Sequence, residues 1–477
     1  MGSTDSLPAG LPVKNPTTPF WRTELHALDD LRTTPELPQE SDIVIVGAGY
    51  AGVSIAYHLL KQQDQQSQHH PSITILEARQ ICSGATGRNG GHIRPDLYGH
   101  IPTYIERHGA EAGAELANFE LSHVKALKDV ISEEGIDCDF NITRNMNVYL
   151  NEAHGEKAKQ KYEALASQSH SFVEDIHYTP QKHAEGISGV KGAKACMSYT
   201  AGTIWPYKFI LGLLSKIMGY TALNVQTHTP VTSVTSSDSS HLVHTSRGSI
   251  RASKVIYATN AYTPSLLPEY SSNIVPVRGL CCHITVPEGK HAPFLPYSYI
   301  LNGDGCSYLI SRPDGSIIVG GAQYTFKDAK EQWYGVVDDS TLIEPAKDYY
   351  NDYMQRTFHG WEDSGAYVKE IWTGIMGYSY DSNAHVDHRA KRVMYILKKE
   401  QVHCAKTATI PLLRAAHFSL EKPETLLQAI DIHAVSSQEL CEWITNLQHI
   451  LAEGHEMGAV KVFDRFLVKV NAEVGGV

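Results

Sequence analysis

The clearest change in the hydrophobic pattern falls at residues 41–77. A short apolar run, Ile43-Val-Ile-Val46, leads directly into Gly47, Gly49 and Gly52, and from Val53 the apolar positions Val53, Ala56, Leu59 and Leu60 recur with helical spacing. A second apolar run, Ile73 to Leu76, ends at Glu77, and the polar stretch Gln62 to His70 between them reads as a loop. The pattern predicts strand, tight turn, helix and strand in succession. Gly47 permits the turn, Gly49 lets backbone approach a pyrophosphate, and Gly52 allows close packing of helix on strand. The helix N-terminus then faces the phosphate anion, and the Glu77 carboxylate accepts from a ribose diol.

Further along, Ile105, Ala112, Leu116, Phe119, Leu121, Val124, Leu127 and Val130 follow a helical stripe over residues 103–135 and are expected to pack in a core. Short strands then alternate with a charged helix over Glu156 to Ser167, and another helix is expected over Lys208 to Met218. Thr229 to Val234 and Lys254 to Thr263 read as strands, the second ending in Ala258, Thr259 and Asn260 at the carboxyl end where parallel strands place ligands. Residues 275–360 carry short β-rich runs around a Pro313-Asp-Gly315 turn, the pattern of an antiparallel sheet. The prolines before residue 40 forbid a long helix there. Phe20 and Trp21 offer an anchor to the chain's own body or to a partner, and Trp205 suits a cofactor pocket or a core equally.

Composition narrows the functional classes. The chain has 477 residues, 42% of them hydrophobic, enough for two or three domains, and no apolar run long enough to span a bilayer. A formal charge of −11 without a basic block argues against nucleic acid as partner. Eight scattered cysteines fit a reducing compartment and a cytoplasmic location, and the 25 histidines show no metal-ligand spacing, so no metal is expected.

After Glu77 the chain packs glycines among short donors: Ala78, Arg79, then Ser83-Gly84-Ala85-Thr86-Gly87-Arg88-Asn89-Gly90-Gly91-His92. Such backbone-rich loops suit pyrophosphate oxygens and the edge of a planar ring. Together with Gly47-x-Gly49-x-x-Gly52 and Glu77, this run resembles the FAD-dependent oxidoreductases of the D-amino-acid oxidase, glycine oxidase and sarcosine oxidase superfamily. The Gly87-Arg-Asn-Gly-Gly91 run is most similar to the branch containing gamma-glutamylputrescine oxidoreductase. The resemblance implies an α/β fold: a Rossmann-like FAD-binding domain with a second α+β substrate domain built on an antiparallel sheet. The expected division is an arm at 1–40, an FAD-binding domain from 41–110, 190–274 and 361–386, a substrate domain from 111–189 and 275–360, and an atypical segment at 387–477.

The resemblance also implies FAD, covalent or noncovalent, held by Gly47, Ala48, Gly49, Tyr50, Ala51, Gly52, Glu77, Ala78, Arg79, Ser83, Gly84, Ala85, Thr86, Arg88, Asn89, Gly90, Gly91, His92, Val231 against the adenine, Ala258, Thr259, Asn260 and Gly374. The flavin ring is expected near Arg88 to His92, with His92, Arg278 and Tyr308 as candidate catalytic residues. Arg278 and Arg312 are the cations considered for the charge that develops on a reduced flavin. Amino-acid oxidases of the superfamily carry a carboxylate-binding arginine two residues after Gly374; Met376 stands there instead. The implied reaction is oxidation of a C–N bond in an amine or N-substituted amino acid to an imine, with molecular oxygen as acceptor and peroxide as product. Two alternatives stay open: a 2-hydroxy acid dehydrogenase, and a catalytically impaired relative acting as a binding protein. Beyond Val386 the expected strand and glycine-rich loop are not legible. A run Lys391 to Lys399 and an amphipathic helix around Glu439 to Leu451 follow instead, read as a replacement fold or a departure of the reading frame.

Overall fold

The structure, a computed structural model, describes residues 10–63, 71–237, 240–303, 305–380, 385–389 and 393–397. Among these, two large sheets organise the chain. In the first, β1 (Glu40–Val46), β2 (Ile73–Leu76), β7 (Leu223–Gln226), β10 (Gly248–Tyr257), β16 (His385–Arg389) and β17 (Val393–Leu397) lie in the order β16-β17-β10-β1-β2-β7. The strands β8 (Val231–Ser236) and β9 (His241–Thr245) extend it as an antiparallel flap on β10. β1 runs parallel to both β2 and β10, and Val44 and Ile45 are fully buried on its opposite faces, as expected of a central parallel strand.

α1 (Tyr50–Gln63) and α6 (Pro206–Ile217) pack together, α6 entering through Pro206 in its first turn and burying Phe209, Ile210, Leu213, Leu214 and Ile217. The stripe at 103–135 forms α2 (Ile101–His108) and α3 (Ala110–Glu134), and α4 spans Glu152–Ala166.

The second sheet takes the order β15-β11-β14-β13-β12-β4-β6-β3. Its strands are β3 (His92–Ile93), β4 (Asn141–Tyr149), β6 (Ala195–Thr203), β11 (Ile274–Thr285), β12 (Ser298–Asn302), β13 (Cys306–Ser311), β14 (Ile317–Gly321) and β15 (Tyr367–Ser379), with β5 (His177–Thr179) on β6. It is antiparallel except where β12 runs parallel to β4, so it is a mixed sheet.

Two expectations change. β6 and β15 belong to the second sheet, although the segments 190–274 and 361–386 were assigned to the first domain: β15 pairs along its length with β11, and β6 with β4. The strand sought beyond Val386 is present, since Val393, Met394 and Tyr395 pair in parallel with Val255, Ile256 and Tyr257. The amphipathic helix expected at 439–451 lies outside the described residues.

The arm before β1 docks on the chain's own body. Phe20 and Trp21 are buried in the core that joins the two sheets, and Trp205 is buried beside them, its indole N–H donating to Trp21 O at 2.7 Å. Among the described residues no helix is long and apolar enough to cross a membrane, and no group of three or more His, Cys, Asp or Glu is placed to hold a metal ion.

Candidate functional site

At the carboxyl ends of β1, β2 and β10 lies a cleft open to solvent, with about 1120 Å³ of atom-free space counted out into that solvent. Its wall is built mainly of backbone. Gly47 sits at φ +109, and a Cβ there would lie 2.6 Å from Ala258 O. A Cβ on Gly52 would lie 1.8 Å from Gly47 O, so only glycine lets α1 start this close to β1. Both carboxylate oxygens of Glu77 accept backbone N–H groups at 2.9 Å, one from Ala48 and one from Arg79. Glu77 therefore ties the first turn to the segment that follows β2. Thr86 Oγ1 accepts from Tyr50 N at 2.9 Å, joining the glycine loop to the first residue of α1.

Gly47, Gly49, Tyr50 and Ala51 line the cleft, as do Glu77 to Arg79, Gly84 to Thr86, Asn89, Val231 and Ala258 to Asn260. Ala48 and Gly52 lie behind this wall. Leu11, Pro12, Cys82, Pro230, Tyr262 and Leu266 complete it; of these the sequence signalled only that the arm would dock.

The rest of the glycine loop is braced from outside. Asn89 donates to Ala85 O and Thr86 O at 3.2 and 2.9 Å and accepts from Gly91 N at 2.8 Å. Arg88 is turned away from the cleft. Its guanidinium donates to Ser83 O (2.8 Å), Thr373 O (2.7 Å) and Thr17, and lies 3.3 Å from Asp339. Asp339, 1% exposed, also takes two hydrogen bonds from Arg79 at 2.9 and 3.0 Å. Burial lowers the Arg88 pKa to about 10 despite Asp339. Burial also opposes the charge on Arg79, but its hydrogen bonds to Asp339 outweigh it and raise the pKa. Asp339 carried no motif, because its partners stand some 250 residues earlier in the chain.

A family model described as FAD dependent oxidoreductase (DAO) matches residues 42–400. The chain belongs to the FAD-dependent oxidoreductase family. The match extends past Val386 and includes β17. Gamma-glutamylputrescine oxidoreductase of Escherichia coli is 23% identical over 291 residues, 59% of this chain and 64% of that protein, so the match spans less than two thirds of the relative. Glycine oxidase from Geobacillus kaustophilus superposes with a TM-score of 0.63 at 16% identity, covering 80% of this chain and 95% of that one. Dithionite-reduced L-α-glycerophosphate oxidase from Mycoplasma pneumoniae, with FAD bound, gives 0.56 at 15% identity, covering 80% and 95%.

FAD is the cofactor of the family, and the cleft suits its ADP half. Asn260 Oδ1, on the cleft wall, and Ser83 Oγ, beside it, are buried without a hydrogen-bond partner, and a Cβ on Gly84 would meet open space. Polar atoms in that state are expected where a polar ligand completes the site.

A second, much smaller hollow lies on the second sheet, with about 290 Å³ of atom-free space counted out into open solvent. Val277 to Leu280 of β11, Tyr308, Gly321, Gln323, Phe326, Trp333, Met376 and Tyr378 line it. Tyr308 connects it to the glycine loop, since a Cβ on Gly90 would lie 2.5 Å from that ring. The Tyr308 hydroxyl meets Cys281 Sγ at 3.0 Å, and its ring meets His92 edge-on. His92 Nδ1 pairs with Ser298 Oγ at 2.7 Å; burial, with Arg94 nearby, lowers its pKa to about 3.

The two arginines considered as flavin cations are engaged elsewhere. Arg278 donates Nε to Gln332 O at 2.7 Å and Nη1 to Thr341 Oγ1 at 2.7 Å and Asp338 O at 3.2 Å, which turns its charge into the 332–341 loop. Arg312 pairs with Asp139 and lies over the Trp205, Trp21 and Phe20 rings. Gly374 packs against the Arg88 side chain rather than lining the cleft.

Proposed function

We propose that this protein oxidises a C–N bond of a small amine or N-substituted amino acid to an imine, with molecular oxygen as acceptor and hydrogen peroxide as second product. The observation that carries the reading is the lining of the second hollow. Tyr308, Phe326, Trp333 and Tyr378 surround it with Met376, and the cation on its wall, Arg278, directs Nε and Nη1 to loop carbonyls and Thr341. Such a lining favours alkyl groups and, through ring faces, a cationic nitrogen over a carboxylate. The name of the Escherichia coli relative points the same way.

When bound, FAD supplies a two-electron acceptor for hydride from a carbon next to nitrogen. Under this reading its ADP half lies in the cleft, with Glu77 at the ribose, Gly49 to Ala51 and Gly84 to Thr86 at the pyrophosphate, and Val231 at the adenine. The chain's remaining contribution is to position and desolvate. The aromatic walls strip water from the amine. His92, kept neutral by burial, adds no positive charge to repel an ammonium approaching Tyr308.

The test begins with the colour of the purified protein, since absence of flavin absorbance ends the reading. An oxygen electrode with a peroxide assay then compares primary amines, N-methyl amino acids, gamma-glutamyl amines and 2-hydroxy acids. Peroxide with amines supports the proposal. Turnover of hydroxy acids alone, or turnover only with an artificial acceptor, replaces it.

A further inference from the structure

The arm at residues 10–21 supplies part of the cleft wall through Leu11 and Pro12. From its N-terminal end, Gly10 O accepts from Ser265 Oγ at 2.5 Å, just after β10. Val13 O accepts from Arg79 Nη1 at 3.1 Å, on the segment after β2. Between these two anchors, Leu11 and Pro12 face the cleft.

The arm then reaches the glycine loop and the second sheet together. Thr17 N donates to Asp339 O at 2.8 Å, Thr17 Oγ1 accepts from Arg88 Nη1 at 3.0 Å and Thr373 N at 3.1 Å, and Thr17 O accepts from Arg88 Nη2 at 2.6 Å. At its end Trp21 Nε1 donates to Asn89 O at 2.5 Å. The hydrogen bonds of Gly10, Val13 and Thr17 and of the Trp21 indole thus go to segments that border the cleft or brace the glycine loop, while the Phe20 and Trp21 rings also pack against Trp205 and Arg312.

We propose that residues 10–21 are part of the cofactor site: a strap that closes the cleft over the ADP half of FAD, with Leu11 and Pro12 as cover and Thr17 as the positioning residue that latches it. The inference rests on FAD occupying the cleft. It adds that the cofactor cannot leave past this wall unless the Gly10–Thr17 bonds open, so exchange of FAD is coupled to the arm. An arm with a purely structural role would contribute to the stability of the apoprotein and leave the FAD dissociation rate unchanged.

The test uses the full chain first. Lys14 is exposed between the Val13 and Thr17 contacts, so trypsin cleavage there, followed by mass spectrometry, reports arm opening. FAD added to deflavinated protein is expected to slow this cleavage by about tenfold; equal rates with and without FAD overturn the proposal. Thr17→Val is then expected to raise the FAD dissociation rate about tenfold, measured by recovery of free-flavin fluorescence, while Thr17→Ser restores it. A Thr17→Val protein that retains FAD as wild type does overturns the latch. If it is too unstable to purify, the proteolysis result decides alone. A wild-type protein that takes up no flavin overturns the family reading of the cleft as well, an outcome distinct from both.

Discussion

At the scale of single residues, the cleft depends on close approach. Gly52 has no room for a methyl group, because its Cβ would stand 1.8 Å from a backbone oxygen of the preceding turn. Gly52→Ala is therefore expected to push α1 off β1, shift the N–H groups of Gly49 to Ala51, and weaken FAD binding at least tenfold, read as the flavin-to-protein absorbance ratio after gel filtration. His92 yields a prediction about pH. Its folded pKa, about 3, lies below the ordinary histidine value of 6.5, so between these values the unfolded chain binds a proton that the folded chain does not. Its contribution to stability is complete above 6.5 and is lost as pH falls toward 3. In His92→Gln the plot of thermal midpoint against pH should be shallower over that window. The slope will not vanish, because burial lowers His283 in the same direction.

At the scale of elements, the 332–341 loop is held from two sides. Arg278 holds it from the second sheet, while Arg79 and Arg88 hold Asp339 from the glycine loop. Asp339→Ala would leave two buried guanidinium groups short of their carboxylate, a loss on the order of 3–5 kcal/mol. It should lower the thermal midpoint of the apoprotein; Asp339→Asn, which keeps one acceptor oxygen, should lower it less. This junction also marks where the sequence stops being readable. The first strand, turn, helix and second strand were legible because every cue lies within forty residues: an apolar run, three glycines, a 3.6-residue period and a terminal acid. The strands of the second sheet were legible as runs, but their partners were not. β4 pairs with β12 across some 150 residues, and β15 is held in that sheet by β11, so proximity in sequence assigned β15 to the wrong layer. β17 escaped notice because Lys391, Arg392, Lys398 and Lys399 flank its five apolar residues and obscure a short strand in the sequence. Arg278 and Arg312 were visible as cations, but the carbonyls and the carboxylate that take up their charge were not.

At the scale of the whole molecule, the two sheets meet where the glycine loop touches Tyr308 and where Gly377 packs against Asn260, a Cβ on Gly377 falling 2.9 Å from Asn260 Oδ1. The cleft and the aromatic hollow thus share a boundary, and under the proposed function what the hollow accepts decides what is oxidised. Met376 is the residue on which this turns. It lies on β15 opposite Val277, and its Cε would stand 2.8 Å from a Cβ on Gly279, so its end fills space that glycine leaves open. An arginine at 376 would bring a guanidinium into the same space, whereas Arg278 directs its Nε and Nη1 donors into the 332–341 loop. A bidentate pair with a carboxylate in such a desolvated place contributes about 1.5–3 kcal/mol, or roughly 10- to 100-fold in kcat/KM. Met376→Arg should therefore raise kcat/KM for an N-methyl amino acid relative to the amine lacking its carboxylate by about that factor, chiefly through the amino acid's KM. It should also lower turnover of the amine, whose cationic nitrogen then meets a like charge. Steady-state rates on such a matched pair, with flavin content measured in both proteins, check it. If the ratio is unchanged at equal flavin occupancy, the substrate does not lie against Met376, and the aromatic hollow is packing rather than a binding site.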